Sequence, residues 1–192
     1  MENIKSIDRK INELLKYAPS KEQRKGLNSL KKAIYSYNDR LYYEANYDKR
    51  FSLCNYNKFV RDLQELDRSN FYVIFIRIPK LTLNYHVDEK ASDIANEFID
   101  ELNSKKSEFG LARNNIYKTC DFLLFLAFKS DVNEAYNKIK TIKNSKNIWK
   151  DYQMTYIKYQ KYSSKISKNI SACVKQANNI FSGEKTEKNE WE

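Results

Sequence analysis

The sequence is sparing with residues that break chains, bridge them or bind metals. It holds three glycines, two prolines, three cysteines and one histidine in 192 residues. Cys54, Cys120 and Cys173 are odd in number and widely spaced, which fits neither a disulfide framework nor a zinc ligand set. Their free state points to a reducing, cytosolic compartment. His86 has no obvious serine, cysteine or metal-ligand partner and reads as a loop residue rather than a catalyst. No apolar run reaches the roughly 18 residues of a transmembrane helix, and no membrane partner is expected. The N-terminal Met-Glu-Asn-Ile-Lys-Ser lacks the apolar core of a secretory signal. Internal repeats and low-complexity segments are also missing.

What is present is enough for a core. Hydrophobic residues make up 41% and aromatic residues 14%, which excludes a disordered chain. The length suits one domain plus an extra element. The net charge of +10, from 35 basic and 25 acidic residues, admits a polyanion partner. The competing explanation is a bias toward Lys, Asn, Ile and Tyr along the whole chain. The spread of the lysines and the lack of a nucleic-acid motif favour that bias.

Two apolar runs dominate, Phe71–Ile78 and Asp121–Phe128. Both are apolar at alternating and intervening positions, so both read as strands buried on two faces. Arg77 and Asp121 are the only charges inside them, and each is costly to bury unpaired. Ahead of them, Ile4, Ile7, Ile11 and Leu14 form an amphipathic stripe that Pro19 interrupts. Ser20 and Gln23 make a capping box for a second helix. Along that helix Leu27, Leu30, Ile34, Tyr37 and Leu41 recur at heptad spacing, as in a coiled-coil stalk or a pair of helices folded back. Asn46–Lys58 is polar and reads as a loop, with Asn57 capping a helix at Lys58–Leu66.

Beyond the first strand, Pro79 ends the ladder and Asp88 or Ser92 caps a helix buried through Ala91, Ala95, Phe98, Ile99 and Leu102. Gly110 marks a turn. Residues 116–118 and Asp121–Phe128 read as a hairpin with Thr119 and Cys120 at its tip. Asp131 caps a helix carrying Val132, Ala135, Ile139 and Ile142, followed by a basic loop at Asn144–Lys150. Tyr152–Tyr159 reads as a more exposed strand, and a last helix near Ser164–Phe181 buries Ile166, Ile170, Cys173, Val174, Ala177 and Phe181. The expected fold is α/β or α+β, helices packed on a central sheet. The expected divisions are helical residues 1–45, a domain at 46–182 and a tail at 183–192.

From about Ala45 to Asn179 the chain resembles the GGDEF domain of the diguanylate cyclases. The family opens on D-x-L-T-G-L-x-N-R-x-x-F, and here Asp48, Leu53, Asn55 and Phe59 keep that spacing. The family's first strand ends in D-x-D-x-F-K and is followed by an Asn and a G-D. Here those stretches read Ile76-Arg77-Ile78-Pro79-Lys80-Leu81, then Asn84, then Ala91-Ser92-Asp93. The G-G-D-E-F hairpin corresponds to Thr119-Cys120-Asp121-Phe122-Leu123, and the closing helix to Ser171–Ile180. The resemblance implies a palm-like sheet and, in active members, two Mg²⁺ ions that join two GTP molecules into cyclic di-GMP. Here the strand carboxylates are replaced by Arg77 and Pro79, and the hairpin glycines by Thr119 and Cys120. One remaining carboxylate, Asp121, does not hold two hard cations, so neither a bound cofactor nor cyclase activity is expected. The product-inhibition motif R-x-x-D reads Gly110-Leu-Ala-Arg113 and is absent as well.

Asn84 and Asp93 match guanine-contacting positions of the family, which leaves a sensor or sponge for GTP or a cyclic dinucleotide as one alternative, with Arg77 and Asp121 as its further candidate contacts. Arg77 and Asp121 are expected to form an ion pair where the cation would stand. The favoured reading is a non-catalytic signalling or regulatory module that acts through a protein partner, as a homodimer along the Leu27–Leu41 seam. Exposed tyrosines around Tyr152–Tyr162 would suit an interface. Nucleic-acid binding through Lys140–Lys150 and Lys158–Lys168 is a further alternative.

Overall fold

The computed structural model describes residues 2–48, 51–66, 70–78, 89–119, 122–161 and 163–183, and side chains from residue 6 onward, except those of residues 89–91. Among the described residues are six α-helices and four strands. They run α1 (Glu2–Tyr17), α2 (Lys21–Asn46), α3 (Tyr56–Glu65), β1 (Phe71–Arg77), α4 (Glu89–Lys105), β2 (Tyr117–Thr119), β3 (Phe122–Phe128), α5 (Val132–Ser145), β4 (Gln153–Lys158) and α6 (Ile166–Ser182). The chain divides by its contacts into two units, residues 1–45 and 46–192.

In the second unit the strands form one antiparallel sheet in the order β2-β3-β1-β4. Helices connect β1 to the β2–β3 hairpin and β3 to β4, a split β-α-β arrangement. β1 is central and pairs along its whole length with β3, from Phe71 opposite Phe128 to Arg77 opposite Phe122. Strand side chains alternate between faces, so an unbroken apolar run demands cover on both. Ile74 and Ile76 of β1, with Leu123, Phe125 and Ala127 of β3, pack under α4 and α5 around Phe98, Leu102 and Ile139. Phe71, Val73 and Phe75, with Phe122, Leu124 and Leu126, pack under α3 and α6 around Phe59, Leu63, Ile170 and Cys173. The fold is α+β, as the two-sided strands require. β4 is an edge strand and largely uncovered, apart from Ile157.

Several local expectations shift. Asn55, not Asn57, caps α3: its side-chain oxygen accepts from the Lys58 N–H at 3.1 Å, and the helix begins at Tyr56. Ser92 lies inside α4 and is buried, so it is not a cap. Asp131 stands at the N-cap of α5 without a side-chain bond, because its backbone (φ −111°, ψ −9°) is near-helical rather than extended. The basic segment after α5 is not an open loop. It coils into a tight turn, Asn147–Trp149, that buries the Trp149 ring, while Lys143 donates to the Lys150 carbonyl and Lys146 pairs with Glu97. Tyr152 is buried against Phe98, and Tyr159 stacks on Phe71, which leaves Tyr156 as the exposed tyrosine of that stretch. Asp88, Pro79, Cys120 and Tyr162 lie outside the described residues, as do the side chains of Ile4 and Ala91.

In the first unit, Ser20 and Gln23 form the reciprocal capping box at the start of α2, with bonds of 3.1 and 3.3 Å. The Lys31 ammonium reaches Asp8 at 2.8 Å and the Asn12 side chain at 2.9 Å on α1, so the two helices fold back on one another. That ammonium holds the Asp8 carboxyl below the usual carboxylate range. Ile11 and Ala18 are buried, but on the heptad seam Leu30, Tyr37 and Leu41 are 51%, 56% and 44% exposed.

Ile74 is fully buried at the centre of the sheet. Ile74→Ala is expected to cost about 3–4 kcal/mol in urea unfolding. A loss under about 1 kcal/mol would mean that β1 is not the centre of the core.

Candidate functional site

The end of the sheet brings four residues into one row. Thr119 of β2 lies opposite Phe122 of β3, Phe122 opposite Arg77 of β1, and Arg77 opposite Gln153 of β4. Directly opposed residues share a face, here the one covered by α3 and α6. Phe122 meets Phe75 edge-on at 5.7 Å and stacks on Phe181 at 6.0 Å. Gln153 donates its amide to the Phe181 carbonyl at 3.2 Å, which ties the last turn of α6 to the row. Arg77 sits half-buried between these partners. A guanidinium, a phenyl ring, a threonine hydroxyl and one amide oxygen supply no carboxylate, too few oxygen ligands for a hard cation. The described row therefore does not fit the two Mg²⁺ ions that the resemblance implies. Asp121 and Asn84 lie outside the described residues, and Arg77 has no ion-pair partner among those described. Asp93 is exposed on α4, away from this row in sequence and on a different element.

The strongest electrostatic arrangement in the second unit was not singled out by sequence reading. Asp62 of α3 is 1% exposed. Its carboxylate accepts from Lys58 Nζ at 2.7 Å, Tyr117 Oη at 2.6 Å and Asn115 Nδ2 at 2.9 Å. Burial pushes this carboxyl up, but the three hydrogen bonds outweigh it and hold the pKa below the usual value. Burial and the bond to Asp62 push the Tyr117 phenol far above its usual range. Burial, with Asp62 nearby, raises the Cys54 thiol to about 11, so it is not a nucleophile at neutral pH. The arrangement fastens α3 to β2, the strand that leads into the hairpin. A signal was present in the sequence: Asp62 falls within the apolar face set by Phe59, Leu63 and Leu66, where an unpaired charge would be costly.

The stretch Asn46–Lys58, expected to be a loop, is bound to the sheet through its described residues, and its last three residues open α3. Asp48 accepts the Phe51 N–H through its side chain at 3.0 Å, and the Asp48 N–H donates to Leu53 at 2.7 Å. Cys54 bridges Tyr47 on one side and Tyr117 on the other, which extends the edge beyond β2. Lys118 pairs with Asp48 at 3.3 Å and lies over the Phe51 ring. Leu53 and Phe59 are buried, and Asn55 is the helix cap. Each residue that matched the opening signature thus has a structural task. Ser52 occupies the left-handed region at φ 53°, at the position where the signature has glycine.

No protein-family model matches the chain, and no curated protein matches it in sequence. Solved structures do match its fold. One is the diguanylate cyclase SiaD in complex with its activator SiaC from Pseudomonas aeruginosa, with a TM-score of 0.55 and 10% identity over 95% of this chain and 78% of that one. Another is the S helix-GGDEF-EAL portion of Vibrio cholerae LapD bound to c-di-GMP, with a TM-score of 0.54 and 16% identity over 78% of this chain. The match spans 38% of the LapD chain's length. The apo form of the same LapD portion matches at a TM-score of 0.55. The chain has a GGDEF-like fold. No helix among the described residues is long and apolar enough to cross a membrane.

Asp62→Asn is expected to cost about 3 kcal/mol at pH 7. Because the folded pKa is depressed, the carboxylate's contribution is fully present above pH ~4 and is lost as pH falls through the folded pKa. Urea titrations from pH 7 to 3 should therefore show the gap between wild type and variant narrowing below pH ~4. A gap that stays constant would rule out a charge-based role. Ser52→Gly, which relieves the left-handed strain, is expected to raise stability by about 0.5–1 kcal/mol, and a destabilised variant would contradict the strained turn.

Proposed function

We propose that this protein is a non-catalytic GGDEF-like module that acts in signalling or regulation by binding a protein partner, as a dimer. The observation that carries this reading is Arg77. It stands at the end of the central strand, in the stretch that the resemblance aligns with the family's metal-binding carboxylates, and in a row with Phe122 and Gln153 that does not suit divalent cations. An ion pair between Arg77 and Asp121 is part of the proposal, with the guanidinium taking the place of the cation. The SiaD structure, in which a GGDEF-fold protein is held by a protein activator, is compatible with a regulatory module. The uncovered seam residues Leu30, Tyr37 and Leu41 of α2 supply a surface for the second copy.

A thermal-shift panel of GTP and cyclic di-GMP, with and without Mg²⁺, tests the reading. The expected result is no shift with any nucleotide. A rise of several degrees that Asp93→Ala abolishes would replace the scaffold with a nucleotide sensor using Asn84 and Asp93. Sedimentation equilibrium tests the dimer. A concentration-dependent dimer is expected for the wild type, and a monomer for the Leu30→Glu, Leu41→Glu double variant. A wild type that stays monomeric at tens of micromolar would remove the dimer from the proposal.

A further inference from the structure

The first unit carries a basic surface that the sequence pattern alone does not mark. Residues 21–32 of α2 contain Lys21, Arg24, Lys25, Lys31 and Lys32 against the single acid Glu22. That is a net +4 of the chain's +10 within three turns of helix. At 3.6 residues per turn, Lys21, Lys25, Asn28 and Lys32 share one face, with Arg24 at its margin. Leu30, Tyr37 and Leu41 fall on the opposite side. The basic residues line an open groove of about 460 Å³ with no carboxylate in its wall.

Three of these cations are uncommitted in the fold. In the second unit Lys58, Lys105, Lys118, Lys138 and Lys146 each hold a carboxylate. In the first unit Lys31 is taken by Asp8. Arg24 gives its Nε–H to the Ala18 carbonyl at 3.1 Å, and Lys21, Lys25 and Lys32 have no carboxylate partner among the described residues. The groove continues along α2 to Tyr35, whose ring is 39% exposed. Asp39 ends the groove beyond Tyr35 with a negative charge.

We propose that this face of α2 binds single-stranded nucleic acid, with phosphates on Lys21, Arg24, Lys25 and Lys32 and a base against the Tyr35 ring. A cationic track with an exposed aromatic is how sequence-tolerant single-strand sites are built. An acidic membrane surface is the poorer fit. A helix lying in the headgroup plane buries an apolar face, and the side chains lining this groove include no aliphatic one to enter the acyl boundary. This site is separate from the basic segments Lys140–Lys150 and Lys158–Lys168, in the first of which Lys146 is committed to Glu97 and Lys143 to the Lys150 carbonyl.

The test is fluorescence anisotropy of a labelled oligothymidylate of about twelve nucleotides, titrated with the full chain from 50 to 200 mM KCl. Four phosphate contacts predict a slope of log K on log salt of about −3. The exposed Lys21→Gln, Lys25→Gln, Lys32→Gln triple variant should weaken binding at least tenfold and reduce the slope by about 2. Tyr35→Leu should lose about tenfold in affinity with the slope unchanged. Lys146→Gln should change neither. Circular dichroism confirms that each variant is folded, and Lys21→Gln alone, with a slope change of about 0.7, serves if the triple variant is not. A triple variant that binds like wild type would overturn the proposal. So would a wild type that ignores the oligonucleotide at 50 mM KCl yet sediments with phosphatidylserine vesicles.

Discussion

A strand that is apolar on both faces sets the terms for everything around it. β1 has no side that can meet water, so it needs a hydrogen-bonded neighbour on each edge and a helical layer on each face. β3 and β4 provide the edges, α4 with α5 one layer, and α3 with α6 the other. Arg77 is tolerated because it is the last residue of the strand, where the two layers thin out and a long side chain can stay half-exposed. The charge therefore stands at the end of β1, opposite Phe122 of β3 and Gln153 of β4.

The order of helices and strands was legible because periodicity is a local property. The two apolar runs, the stripe of α6 and the capping box of α2 all announce themselves within a few residues. The opening signature was legible for a related reason. Asp48, Leu53, Asn55 and Phe59 shape the turn and the start of α3, so a chain that keeps the fold has cause to keep them. What local pattern did not reveal was pairing between distant segments. The turn at residues 47–55 looked like a polar loop because its bridge to Tyr117 spans more than sixty residues. Asn144–Lys150 looked like a basic loop because a single Trp149, buried from within a polar stretch, leaves no periodic trace.

The candidate site shows the same division. Arg77 stood out because a charge in an apolar strand is conspicuous, and its row with Phe122 and Gln153 then followed from register. Asp62 escaped notice because helices carry many acids, and only its position between Phe59 and Leu63 distinguishes it. The basic face of α2 escaped because lysines are frequent everywhere. What marks Lys21, Lys25 and Lys32 is that they share one face of α2 with Arg24 in a groove without a carboxylate, which only the folded chain displays. Along α2 it is arrangement rather than abundance that matters.

The position of β1 in the sheet also constrains how the chain is made. Its edge partners lie about fifty residues (β3) and about eighty residues (β4) further along, and Tyr72 pairs with Lys158. At a synthesis rate of roughly 5–20 residues per second, β1 spends several seconds outside the ribosome before its second edge can close. During that interval one of the two most apolar segments of the protein lacks a native neighbour on one edge. A nascent chain of this kind depends on holding factors or on rapid collapse of α3 onto one face, and it would be the step at which overproduction leads to aggregation.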